Sequence, residues 1–203
     1  MSSTEELLVK LAESIKKENT DLYNLHFLKI ITYLQKEFQI AAGSKAGSIE
    51  KGVDTEESDL DIIFYINNLT DNNLEEIRNE ICEEIGKKYK DVECKDRSIR
   101  INLSNNEHID SVLKDKSTFE NEKDYIRFVK NINEERKNAI KLVKYWKQKT
   151  NYNGKNLKSW QLEKYAIYST GKSLEAIVKD TVHHFSANAS GAITILKKEA
   201  EKI

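Results

Sequence analysis

One segment limits the folds open to this chain: Asp59-Leu-Asp-Ile-Ile-Phe-Tyr-Ile, a run rich in β-branched and aromatic residues. It reads as a strand, and the segments around it read mostly as helices. The chain must therefore build a sheet around this strand and cover it with helices. Strand periodicity puts Asp59 and Asp61 on one face and Leu60, Ile62 and Phe64 on the other. The apolar set can reach a core. The two carboxylates repel each other, and a divalent cation between them relieves that repulsion.

The remaining elements follow from spacing. Thr4 caps a first helix carrying Leu7, Leu8 and Leu11. Leu25, Leu28, Ile31 and Leu34 recur at helical spacing in a helix over 21–38. Residues 39–44 read as a short strand running into a Gly43-Ser44 turn, and 45–58 as a loop or short helix. Leu74, Ile77, Ile81 and Ile85 mark an amphipathic helix. Strands over 98–104 and 108–113 follow, joined as a hairpin through Asn105-Asn106. Beyond Ser117 the pattern is helical, with helices over 133–149, from 159 onward, and over 173–185. The fold class is α+β. An α/β catalytic lobe spans 1–117, and an all-helical lobe spans 118–203.

Composition narrows the partners. The 33 Lys+Arg and 34 Asp+Glu nearly cancel, so any phosphate site is local rather than a basic surface. Two cysteines, Cys82 and Cys94, are too few for a disulfide framework or a zinc site and read as reduced, partly buried thiols. No apolar run approaches the ~20 residues of a membrane span, and the N-terminus lacks a signal-peptide pattern. The expectation is a cytoplasmic protein with no membrane partner.

The carboxylate pair gains weight from its context. Gly43-Ser44, at the end of the preceding strand, is placed to offer backbone N–H groups to phosphate oxygens. Asp110 lies in a later strand, His108-Ile-Asp-Ser-Val, whose apolar neighbours pack it into the same sheet. Three carboxylates together suit two Mg²⁺ or Mn²⁺ ions about 3.5–4 Å apart.

This arrangement resembles the polymerase-β-like nucleotidyltransferases, whose signature is a Gly-Ser turn, a spacer, Asp-x-Asp on a strand and a third Asp on a neighbouring strand. Here it reads Gly43-Ser44-Lys-Ala-Gly47-Ser48, then Ser58-Asp59-Leu-Asp61, then Ile109-Asp110-Ser-Val. In the helical lobe, Lys144-Tyr-Trp146 followed by Ser159-Trp-Gln-Leu-Glu163 is similar to the oligoadenylate synthase, cyclic GMP–AMP synthase and bacterial CD-NTase group. The resemblance implies that Asp59, Asp61 and Asp110 are the catalytic and metal-binding residues. It implies that Gly43, Ser44, Ser48, Lys144 and Ser159 hold the nucleotide, with the helical lobe completing the cleft. The implied reaction moves NMP from an NTP to a hydroxyl and releases pyrophosphate, the second nucleotide being the favoured acceptor. RNA 3′ ends, a protein or a small molecule such as an antibiotic are alternative acceptors, and a catalytically silent nucleotide-binding module is the rival class. The loop from Ser44 to Asp59 is longer than the usual form.

Other features read as structural. Trp146 and Trp160 sit on apolar stripes and are expected in the core. Lys141, Lys144, Lys147 and Lys149 read as a solvated helix face, and His183-His184 as a surface pair.

Overall fold

The computed structural model describes residues 3–17, 21–38, 40–103, 107–152, 157–185 and 188–203. In chain order the elements are α1 (Thr4–Ser14), α2 (Asp21–Glu37), β1 (Ala42–Ala46), α3 (Gly47–Lys51), β2 (Leu60–Ile66), α4 (Leu74–Gly86) and β3 (Val92–Cys94). There follow β4 (Ile99–Asn102), β5 (His108–Asp115), a 3-10 turn (Lys116–Thr118), α5 (Phe119–Asn131) and α6 (Glu134–Lys149). The chain ends with α7 (Ser159–Tyr168), α8 (Leu174–His183) and α9 (Ala189–Ala200). The predicted Asn105-Asn106 turn lies outside the described residues.

The chain divides into two compact units. One, the sheet unit, comprises Glu18–Gly52 and Glu57–Lys130; the other, the helical unit, comprises Met1–Lys17, Val53–Glu56 and Asn131–Ile203. In the sheet unit, five strands lie in the order β1-β2-β5-β4-β3. β2 and β5 are parallel, and the other neighbours are antiparallel. Ile31 and Leu34 of α2 and Ile81 and Ile85 of α4 pack on the face that carries Leu60, Ile62 and Phe64. On the other face, Phe119 and Ile126 of α5 cover Ile63 and Tyr65, with the Tyr65 and Phe119 rings edge-on at 4.9 Å. β2 is thus apolar on both faces beyond Asp61, as a central strand with helices on both sides requires.

That second layer explains why the sheet unit runs to Lys130 and not to residue 117. α5 is tied to the sheet by the apolar residues it covers. α1 instead packs against α6, α8 and α9, burying Leu8 and Leu11 within the helical unit. Its N-cap is Ser3, not Thr4: Ser3 and Glu6 form a reciprocal capping box. α2 is rotated from the face its leucines mark. Tyr23, Ile30, Ile31 and Leu34 are buried, whereas Leu25 and Leu28 are 49% and 60% exposed. α9 begins at a run of turn residues, Asn188-Ala-Ser-Gly, where the Asn188 side chain caps the helix by accepting from the Gly191 N–H.

The cysteine expectation is overturned. Cys82 on α4 and Cys94 on β3 form a disulfide, with Cα atoms 6.1 Å apart. α4 packs beside β3, so two residues without a recognisable spacing meet in the fold.

Gly43 is not in a turn. It lies inside β1, paired with Phe64, and a Cβ there would overlap the Ile31 side chain of α2. Gly43→Ala is expected to cost about 1–3 kcal/mol through overpacking. Ile31→Val trims the methyl it meets, so the double variant should lose less than the two single variants together in urea denaturation. Strict additivity would show that the contact does not decide the glycine.

Candidate active site

The register of the sheet gathers charge from separate parts of the sequence. Asp61 of β2 pairs with Asp110 of β5, Ala46 of β1 flanks Asp61, and Arg100 of β4 flanks Asp110, with Glu93 of β3 beyond it. Residues in register on neighbouring strands share a face, so this row crosses all five strands on one side of the sheet. Asp59 precedes β2 by one residue and His108 begins β5. His108 Nε2 lies 2.9 Å from Asp59 Oδ2 and 3.7 Å from Asp110 Oδ2, between the two carboxylates.

Like charges in register on adjacent strands destabilise a sheet. Arg100 offsets that repulsion. Its Nε and Nη2 donate to the two oxygens of Asp110 at 2.8 and 2.7 Å, a fork that satisfies both ends of the carboxylate. Burial raises the Asp110 pKa, and the Arg100 hydrogen bonds and charge, with His108, more than reverse this, holding the group below its usual range. Arg100 and His108 were not among the residues singled out by sequence. Period two within His108-Ile-Asp110 does place His108 on the face of Asp110, but Arg100 is reached only through strand register.

The structure places the two Gly-Ser pairs differently. Gly43-Ser44 is internal to β1, and Ser44 Oγ lies 3.2 Å from the Tyr65 hydroxyl. Gly47-Ser48 instead makes the turn from β1 into α3. Gly47 has φ +68, and a Cβ on it would overlap the Asp61 carboxylate. Only glycine gives both the left-handed backbone and the space beside Asp61. Gly47→Ala is therefore expected to cost about 1–2 kcal/mol in backbone strain and to push Asp61 aside. Measured by urea midpoint and by metal-dependent thermal shift, both should fall; an unchanged metal response would remove Gly47 from the site.

The helical unit holds the other candidates. Lys144 is not on a solvated face. It is 5% exposed, donates to the Val53 carbonyl at 3.1 Å, and lies 3.9 Å from the buried Glu163 carboxylate. Lys141 is also buried. Ser159 is the first residue of α7 and not its cap, which is Lys158. It is exposed, and its neighbour Trp160 is 57% exposed, contrary to the core placement expected for it, while Trp146 is buried as expected.

As a metal centre the donor set fits in part. Among the described residues no group of three or more His, Cys, Asp or Glu side chains is arranged to hold an ion. Arg100 engages both oxygens of Asp110, which accounts for that. Asp61 offers hard oxygen donors beside the space kept by Gly47, with Asp59 two residues before it, and Mg²⁺ needs only one or two carboxylates when waters and substrate phosphates complete its shell.

No protein-family model matches the sequence, and no curated protein matches it. Solved structures do match its fold. A cytoplasmic RNA terminal U-transferase superposes with a TM-score of 0.63 at 17% identity, over 83% of this chain and 54% of that one. CdnC of E. coli MS115-1, solved with ATP, gives 0.68 at 14% identity, over 91% of this chain and 72% of its own. The GLD-2/RNP-8 complex gives 0.65 at 12% identity, covering 89% and 79%. The chain thus spans about half the length of the uridylyltransferase.

Proposed function

We propose that this chain, whose fold is that of the polymerase-β-like nucleotidyltransferases, transfers NMP from an NTP to a hydroxyl acceptor and releases pyrophosphate. The observation that carries this reading is the pairing of Asp61 with Asp110 on adjacent parallel strands, with Asp59 two residues before Asp61. The acceptor oxygen attacks the α-phosphorus, the bond from that phosphorus to the bridging oxygen breaks, and pyrophosphate leaves. Asp59 and Asp61 would hold two Mg²⁺ or Mn²⁺ ions, and Asp110, released from the Arg100 fork, would complete the site. Ions held there would make the hydroxyl more acidic and would neutralise charge on the triphosphate and the leaving pyrophosphate. Asp110, once an oxygen is released by Arg100, would accept the hydroxyl proton. Gly47 borders Asp61, and Ser48, next to it in the chain, would offer its hydroxyl to phosphate.

In the helical unit, Ser159 and Trp160 are exposed on α7. Lys144 supports the nucleotide indirectly, by anchoring the segment that leads into Asp59. The favoured acceptor is a second nucleotide, giving a cyclic or linear oligonucleotide as in the CD-NTase reading, in the cytoplasm.

One observation favours a second acceptor. Trp160, Lys164 and Tyr168 recur every four residues on the exposed face of α7, and aromatic rings with an interleaved cation suit single-stranded RNA. The test is incubation with each α-labelled NTP and Mg²⁺ or Mn²⁺, with and without an RNA oligonucleotide. Label in a short phosphatase-resistant species supports nucleotide joining; label on the RNA supports the second acceptor. If NTP binds and no label moves with any metal, the chain is a silent nucleotide-binding module.

A further inference from the structure

We propose that the cleft between α2 and α4 is a second binding site, for a small organic anion with a planar aromatic body. The cleft lies wholly within the sheet unit and has a volume of about 750 Å³, the size of small-molecule sites. It is separate from the carboxylate row. α2 and α4 cover the sheet face of Leu60, Ile62 and Phe64, whereas Asp61 projects from the opposite face.

The lining supplies each part of that ligand class. Ile30 and Ile85, both buried, give it apolar walls. Tyr33 and Tyr89 present rings that are already held in place. The Tyr33 hydroxyl donates to Glu84, and the Tyr89 hydroxyl lies 3.2 Å from His26 Nδ1. Fixed rings of this kind favour a flat partner over a flexible chain. Three cations, Lys29, Lys36 and Lys88, border the cleft, against one lining acid, Glu37, which is itself paired with Lys36 at 2.9 Å. Lys88 Nζ stands 5.0 Å from the centre of the Tyr33 ring, so a charge and a stacking surface meet at one point. Leu28 also lines the cleft while 60% exposed, which leaves apolar surface in water beside the lysines. An aromatic body over the apolar surface, with its anionic group towards the lysines, satisfies both at once.

The probe is 8-anilinonaphthalene-1-sulfonate, titrated by fluorescence against the whole chain. N-phenyl-1-naphthylamine serves as its uncharged counterpart. The expected result is saturable one-to-one binding of the sulfonate, at least about tenfold tighter than the uncharged amine, a difference of roughly 1.4 kcal/mol. Lys36→Ala/Lys88→Ala alters exposed side chains and should keep its melting temperature while losing about tenfold in sulfonate affinity. Lys36→Arg/Lys88→Arg should keep that affinity, and so should Asp59→Asn/Asp61→Asn. No saturable binding, equal affinity for the amine, or binding that survives in the double-alanine variant overturns the proposal. Loss of binding in the aspartate variant also overturns it, because the probe would then sit at the carboxylates.

Discussion

Asp59→Asn/Asp61→Asn is expected to lower label transfer at least about 10³-fold, and to leave the urea midpoint unchanged or raised. The two effects share a cause. Asp61 stands in register with Asp110, an arrangement that costs folding energy unless a positive charge offsets it. Asparagine keeps the shape and removes the repulsion that Arg100 leaves, which offsets the weaker contact of position 59 with His108, so the sheet breaks even or gains. Under the proposed reaction, the same change removes the negative charge that would hold a divalent ion. Electrostatic help from such an ion amounts to several kcal/mol in the transition state, and each 1.36 kcal/mol is a factor of ten. Single-turnover label transfer and urea denaturation on the same preparation separate the outcomes. Lost transfer with an intact fold supports catalytic carboxylates. Transfer retained within a few-fold would remove Asp59 and Asp61 from the chemistry, and a collapsed fold would make them structural.

The second large effect is on stability. Lys144→Met should destabilise the chain by about 3 kcal/mol, at the low end of the range for breaking a buried ion pair. Glu163 is 2% exposed and Lys144 5% exposed, so removing the ammonium leaves a carboxylate buried without its cation neighbour. It also removes the donor to the Val53 carbonyl. The 3.9 Å separation from Glu163 is long for a hydrogen bond, which places the estimate near the bottom of that range. Lys144→Met/Glu163→Leu should recover much of the loss, since an apolar pair of similar volume replaces the charges. Denaturation midpoints measure this directly. The Michaelis constant for NTP distinguishes the role implied by family resemblance: a residue that touches triphosphate raises it in Lys144→Met, and the double variant does not restore it. A residue that only anchors the 53–56 segment lets the double variant recover both.

Local pattern decided what each segment becomes. Apolar and β-branched residues made Leu60–Ile66 a strand, helical spacing marked α2, α4 and α6, and alternation put Asp61 and the apolar Leu60 and Ile62 on opposite faces. These outcomes depend on interactions within a few residues, which a sequence displays directly. The α+β class and its helical second half followed from them. What covers a face, and which strand lies beside which, depends on residues far apart in the chain. Only the tertiary structure therefore brought Arg100 to Asp110 and His108 to Asp59, joined Cys82 to Cys94, and placed Gly47 rather than Gly43 against Asp61. It also buried Lys144 and left Trp160 and Leu28 in water, because periodicity tells which side chains share a face without telling whether that face meets protein or solvent.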